Sequence, residues 1–109
     1  MEWISLVKEE QVDQIREDSY IKPQLIFKHS TRCSISSVAK NRLDRSATPS
    51  NIDFHFLDLI TYRSVSAKVA ETFKVHHESP QALLIKDGSC IYDESHMGIS
   101  MQDIESAAF

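Results

Sequence analysis

The residues with the clearest chemical potential lie in the stretch 25-LIFKHSTRCSIS-36. An apolar run, Leu25-Ile26-Phe27, gives way to Lys28, His29, Ser30, Thr31 and Arg32. Cys33 follows, and Ser34, Ile35 and Ser36 then open a helical pattern. The first turn of a helix has unpaired backbone N–H groups and the positive end of the helix dipole, and both favour a thiolate over a thiol. Arg32, with Lys28 and His29 nearby in the chain, adds positive charge and a possible base or charge partner. A thiolate is the form that attacks disulfides, so the chemistry expected here is thiol–disulfide exchange. The competing reading is a buried, inert cysteine capping a core strand, which is the usual state of an isolated thiol. The basic, polar turn ahead of Cys33 favours the reactive reading.

The spacing is C-x-x-S: Ser36 stands where a second cysteine would close an intramolecular disulfide. A lone thiol can form a mixed disulfide only with a small thiol or another protein. The other cysteine, Cys90, follows the Asp87-Gly88 turn and reads as a packed strand residue on the far side of a sheet, not a resolving thiol. His76, His77, His96 and Cys90 lack the spacing of a metal site, and no metal is expected.

These residues need elements to position them. Trp3 to Leu6 reads as a short strand, and Lys8 to Asp18 as a helix with Val12 and Ile15 on its inner face. Gln24 to Lys28 reads as a buried strand after Pro23. Ser34 to Arg45 reads as a helix with an apolar stripe through Ile35, Val38, Ala39 and Leu43. Ile52 to Leu59 is a strand carrying the core aromatics Phe54 and Phe56. Ser64 is a candidate N-cap for a helix through Phe73. Gln81 to Lys86 and Ser89 to Asp93 form a hairpin about Asp87-Gly88, and Ser100 to Phe109 closes as a short helix. The order β-α-β-α-β-α-β-β-α predicts an α/β domain of three layers: a mixed sheet with helices on both faces. That order suits the thioredoxin fold. Pro80, opening a strand after Ser79, then stands where such folds carry a cis-proline facing the reactive cysteine, which would leave the Ser79 backbone exposed for pairing with a substrate peptide; the alternative is a trans-proline that starts an edge strand.

Composition bounds the rest. The 109 residues suffice for one domain with a single core. A net charge of −4 without any basic stripe gives no reason to expect nucleic acid. The longest apolar runs are far short of a membrane span, and the start of the chain lacks the pattern of a secretory signal. With two cysteines a disulfide framework is not expected, and a cytoplasmic location is the default.

The run Phe27-Lys28-His29-Ser30-Thr31-Arg32-Cys33, followed by Ile35-Ser36 and, downstream, by Ser79-Pro80-Gln81 and Asp87-Gly88, resembles the redox-active YtxJ-like family of the bacillithiol system, the monothiol bacilliredoxins. The resemblance extends over nearly the whole chain. It implies a thioredoxin-like protein of bacteria that use bacillithiol as their small thiol. Cys33 would be the nucleophile, attacking S-bacillithiolated client proteins and carrying the bacillithiol itself. Ser79 and Pro80 would position substrate, Thr31 and Arg32 would shape the approach to the sulfur, and His29, Ser34 and Ser36 are candidate stabilisers of the thiolate. No tightly bound cofactor is implied; bacillithiol would be a co-substrate whose malate carboxylates suit Arg32 or Lys28. One departure is Ser34, where the family pattern has proline: serine adds an N–H donor and a hydroxyl beside the sulfur. Two rival functions are a non-catalytic thioredoxin-fold binding module and an iron–sulfur carrier of the glutaredoxin type.

Overall fold

The computed structural model describes all residues, 1–109. The strands are β1 (Ile4–Ser5), β2 (Gln24–His29), β3 (Asp53–Asp58), β4 (Gln81–Lys86) and β5 (Ser89–Ser95). The helices are α1 (Glu9–Asp18), α2 (Ser34–Arg45), α3 (Arg63–Phe73) and α4 (Met101–Ala108). All five strands form one mixed sheet in the order β1-β3-β2-β4-β5. β1 and β2 run parallel to β3, β4 runs antiparallel to β2, and β5 runs antiparallel to β4.

Two apolar clusters sandwich this sheet. Leu25 and Phe27 of β2 pack with Ala39 and Leu43 of α2 and with Met101, Ile104 and Ala108 of α4. Ile26 faces the opposite way, toward Val12 and Ile15 of α1 and Val65, Val69 and Phe73 of α3. Every residue of β2 is buried, as a central strand covered on both sides requires. Trp3 sits at the β1 edge, with its ring against Phe27, Phe54 and Phe56, and its indole N–H donates to Asp44 of α2 over 2.8 Å. The three-layer α/β architecture is the one the element order predicts.

Several local expectations shift. α3 begins at Arg63 instead of being capped by Ser64. The Asp58 carboxylate accepts from the backbone N–H of Ile60 at 3.2 Å and from the Thr61 hydroxyl at 2.8 Å, and this turn sets the helix start. Ser100 caps α4, its hydroxyl accepting from Asp103 N–H at 3.2 Å. β5 continues to Ser95 and passes into a single 3-10 turn, His96–Gly98, that sequence periodicity did not reveal.

The stripe on α2 is corrected most. The helix turns Ser36, Ala39 and Leu43 inward, while Ile35 and Val38 are exposed. Positions 36, 39 and 43 share one face at the helical period, and a serine is tolerated there because its hydroxyl is fully bonded.

Candidate functional site

Cys33 is the N-cap residue of α2, in extended conformation at φ −114 and ψ 118. Its carbonyl accepts the first helical hydrogen bond, from Ser37 N–H at 3.2 Å. Its own N–H donates to Ser30 C=O at 3.2 Å, closing the turn Ser30–Cys33. Serine, threonine or aspartate at an N-cap usually places an acceptor oxygen against the free N–H groups of the first turn. Here the residue is a cysteine, and its sulfur makes no hydrogen bond to the first turn. The positive end of the helix dipole at such a position is the general physical basis of reactive cysteines at helix starts. The thiol is free and half-buried.

The turn ahead of it is held from below. Ser36 Oγ lies 2.7 Å from Nδ1 of His29 and accepts from Ser30 N–H at 3.1 Å. Ser30 Oγ in turn accepts from Arg32 N–H at 3.3 Å. His29 and Ser36 are both buried, and the His29 ring packs on Phe27 and Phe56. Burial, and then the nearby Lys40 charge, hold His29 below the ordinary imidazole value, which disfavours a positive charge on the ring. Of the two roles expected for His29 beside the thiol, base or charge partner, this environment weighs against the charged one. His29 Nδ1 is bonded to Ser36 Oγ, and Ser36 also holds Ser30 N–H, so the pair acts as a scaffold for the turn. Thr31, Arg32 and Ser34 are exposed around the thiol.

Lys28 is corrected as well. Its side chain points to the α3 side of the sheet and is fully buried, with Nζ 3.2 Å from Nδ1 of His77. Strand alternation requires this: with Phe27 and His29 facing α2, the residue between them must face α3. Burial pushes the Lys28 ammonium down to about 8. Of the two cations expected to meet a ligand's carboxylates, only Arg32 is at the surface.

The Ser79–Pro80 peptide is cis. Lys28 is paired with Gln81 across β2 and β4. One further step in this antiparallel register sets Pro80 opposite His29, four residues before Cys33. Pro80 C=O accepts from His96 N–H at 3.0 Å, which ties the 3-10 turn to the same end of the sheet.

Cys90 lies elsewhere. It pairs with Ile85, at the hairpin end of β4, and packs on the α1–α3 cluster. Its S–H donates to Tyr92 C=O at 3.3 Å, and burial pushes the thiol up to about 11. His76, His77 and His96 do not gather: His77 meets Lys28, while His76 offers its backbone carbonyl to Gln81 Nε2 at 2.9 Å. The polar group around His77, with Ser66 of α3, had no signature in the sequence, because it joins β2, α3 and the loop before Pro80.

A three-layer α/β sandwich with one thiol at the junction of β2 and α2 and a cis-proline just before the neighbouring strand β4 defines a thioredoxin-fold redox protein. Solved structures agree. The chain superposes on a candidate oxidoreductase with a thioredoxin fold at a TM-score of 0.83 and 28% identity, covering 95% of this chain and 91% of that one. It also matches the Malassezia sympodialis thioredoxin Mala s 13 at a TM-score of 0.75 and 15% identity, covering 98% and 88% of the two chains. A thioredoxin variant from Halobacterium salinarum NRC-1 matches at 0.74 and 14% identity, over 99% and 92%. These last two likenesses establish the fold alone. Residues 4–104 match the family Monothiol bacilliredoxin BrxC, and the chain belongs to that family. It is thus a redox thiol protein, and no helix in it is long and apolar enough to cross a membrane.

Proposed function

We propose that this chain removes bacillithiol from S-bacillithiolated proteins by thiol–disulfide exchange at Cys33. One observation carries the reading: the only thiol at the sheet's catalytic-type end occupies the N-cap of α2, with a serine at the position of a second cysteine. The Cys33 thiolate attacks the bacillithiol sulfur of the client's mixed disulfide. The client–bacillithiol S–S bond breaks, a Cys33–bacillithiol disulfide forms, and the client leaves as a thiolate that takes up a proton. With Ser36 in place of a cysteine, no neighbouring thiol expels the bacillithiol. A second small thiol attacks the Cys33 disulfide instead, leaving as the disulfide of the two small thiols and restoring Cys33.

Ser79 supports the client-binding side of this reading. Neither its N–H nor its C=O is used within the chain, so both are available to an extended peptide. Arg32 is the exposed cation beside the sulfur. Clients and bacillithiol meet the protein in the cytoplasm of a bacterium on this reading.

Intact-mass measurement tests it, with reduced protein mixed with a bacillithiolated model substrate. Wild type and Cys90→Ala are expected to strip the substrate and gain one bacillithiol, while Cys33→Ala does neither. A substrate left untouched by wild type, although Cys33 alkylates readily, overturns the bacillithiol assignment. A Cys33 inert to alkylation overturns exchange altogether.

A further inference from the structure

The α1–α3 side of the sheet holds a polar cluster that exchange at Cys33 leaves unused. Lys28 is fully buried and forms no ion pair with a carboxylate. An ammonium has only donors, so His77 Nδ1, 3.2 Å away, must accept from it. Ser66 Oγ lies 3.4 Å from the same nitrogen. Burial and the Lys28 charge hold His77 below the ordinary imidazole value, so the ring is neutral and carries its proton on Nε2. That N–H has no partner within the chain.

His77 lines an open cavity of about 240 Å³ together with Leu59, Arg63, Ser66 and Ala67. Arg63 is exposed and forms no ion pair. The cavity therefore offers a guanidinium fork, an imidazole N–H and a serine hydroxyl, backed by a buried ammonium, and its lining includes no carboxylate. The carboxylate acting on the His77 ring is that of Glu78, next in the chain and outside the lining. The cavity opens at the same end of the sheet as Cys33, for Leu59 N–H donates to the carbonyl of His29, the last residue of β2.

We infer that the Arg63–Ser66–His77 cavity is a carboxylate-binding site, and that it holds the malate carboxylates of the small thiol while the thiol's sulfur is bonded to Cys33. This rests on the exchange function proposed above. Arg63 presents paired N–H donors to a carboxylate, His77 adds a third donor, and Lys28 fixes the tautomer that makes His77 a donor.

The test is direct binding, independent of exchange. Backbone amide NMR of the reduced protein is followed during titration with malate, and separately with inorganic phosphate, at constant ionic strength. Malate is expected to shift Leu59, Arg63, Ser66, Ala67 and His77 saturably, and Arg63→Gln and His77→Phe are each expected to weaken it about tenfold or more. Arg63→Gln is also expected to raise KM for a bacillithiolated substrate with kcat unchanged. Amides that stay unmoved, or that move equally over the whole surface, overturn the site. Phosphate binding as tightly as malate, with KM unaffected by Arg63→Gln, assigns the cavity to a free anion and overturns the co-substrate role. Exchange at Cys33 without malate binding removes the site and leaves the proposed function. Malate binding without exchange removes the function and leaves a carboxylate site.

Discussion

Lys28 shows how a single side chain can change meaning between sequence and fold. In the chain it belongs to a basic turn beside the cysteine; in the structure it is a buried cation whose hydrogen-bond partner is a neutral imidazole. Desolvation lowers its proton affinity from 10.5 to about 8, so between those pH values the unfolded chain holds the proton that the folded one has lost. Stability must then rise with pH through that window, by about 3 kcal/mol. Cys90 acts in the opposite sense, because its thiol stays protonated up to about 11 when folded. A comparison in which both proteins keep Cys90 cancels that contribution. Lys28→Met replaces the ammonium with an apolar chain of similar length and is expected to be at least as stable as wild type at pH 7. Chemical denaturation from pH 7 to 10.5 should show wild type gaining on the variant by about 3 kcal/mol. Parallel pH profiles would mean that Lys28 is not desolvated.

Among the elements, the β4–β5 hairpin shows how turn chemistry sets register. Asp87 and Gly88 both take positive φ, at 53 and 81, as a tight two-residue hairpin requires. The turn is also docked: Gly88 N–H donates to Ser19 Oγ at 2.8 Å, and Asp87 N–H donates to Ser19 C=O at 3.0 Å. A Cβ on Gly88 would run into the Tyr20 hydroxyl and ring. Gly88→Ala is expected to cost about 1–3 kcal/mol, read as a lower midpoint in thermal or denaturant unfolding. An unchanged midpoint would show that the turn relaxes freely. This hairpin was legible in the sequence because Asp-Gly is a local signal, whereas the 3-10 turn after Ser95 was not, since its His96 depends on the Pro80 carbonyl. The inward face of α2 was misassigned for a related reason. Hydropathy ranks Ile35 and Val38 above Ser36, yet hydrogen bonds to His29 and Ser30 make Ser36 the residue that packs inside.

Over the whole molecule, the sheet separates the two thiols in two directions. Cys33 begins α2, on the α2–α4 side, whereas Cys90 packs among the residues of the α1–α3 cluster. Cys90 pairs with Ile85, whose neighbour on β2 is Gln24, the first residue of that strand. His29, at the other end of the strand, is roughly 17 Å from Gln24 at 3.3–3.4 Å per residue, and Cys33 lies beyond it. A disulfide needs Cα atoms within about 7 Å. Mild oxidation of the folded protein is therefore expected to yield no Cys33–Cys90 bridge within one chain, only mixed disulfides at Cys33. Peptide mapping under non-reducing conditions checks this, and an intramolecular bridge formed without unfolding would contradict the arrangement.

The alternation of elements, the thiol at a strand-to-helix junction, the absence of a neighbouring cysteine and the proline opening a strand all follow from local pattern. Apolar periodicity, capping residues and turn formers act over a few positions, so the chain by itself determined them. The tertiary structure alone decided what depends on which residues meet across the sheet. Lys28 faces α3 because Phe27 and His29 face α2, His29 is committed to Ser36, and His77 is brought by the loop before Pro80 to a lysine 49 residues earlier in the chain. Such contacts join positions far apart in sequence, and their strength comes from desolvation, which exists only once the layers have closed.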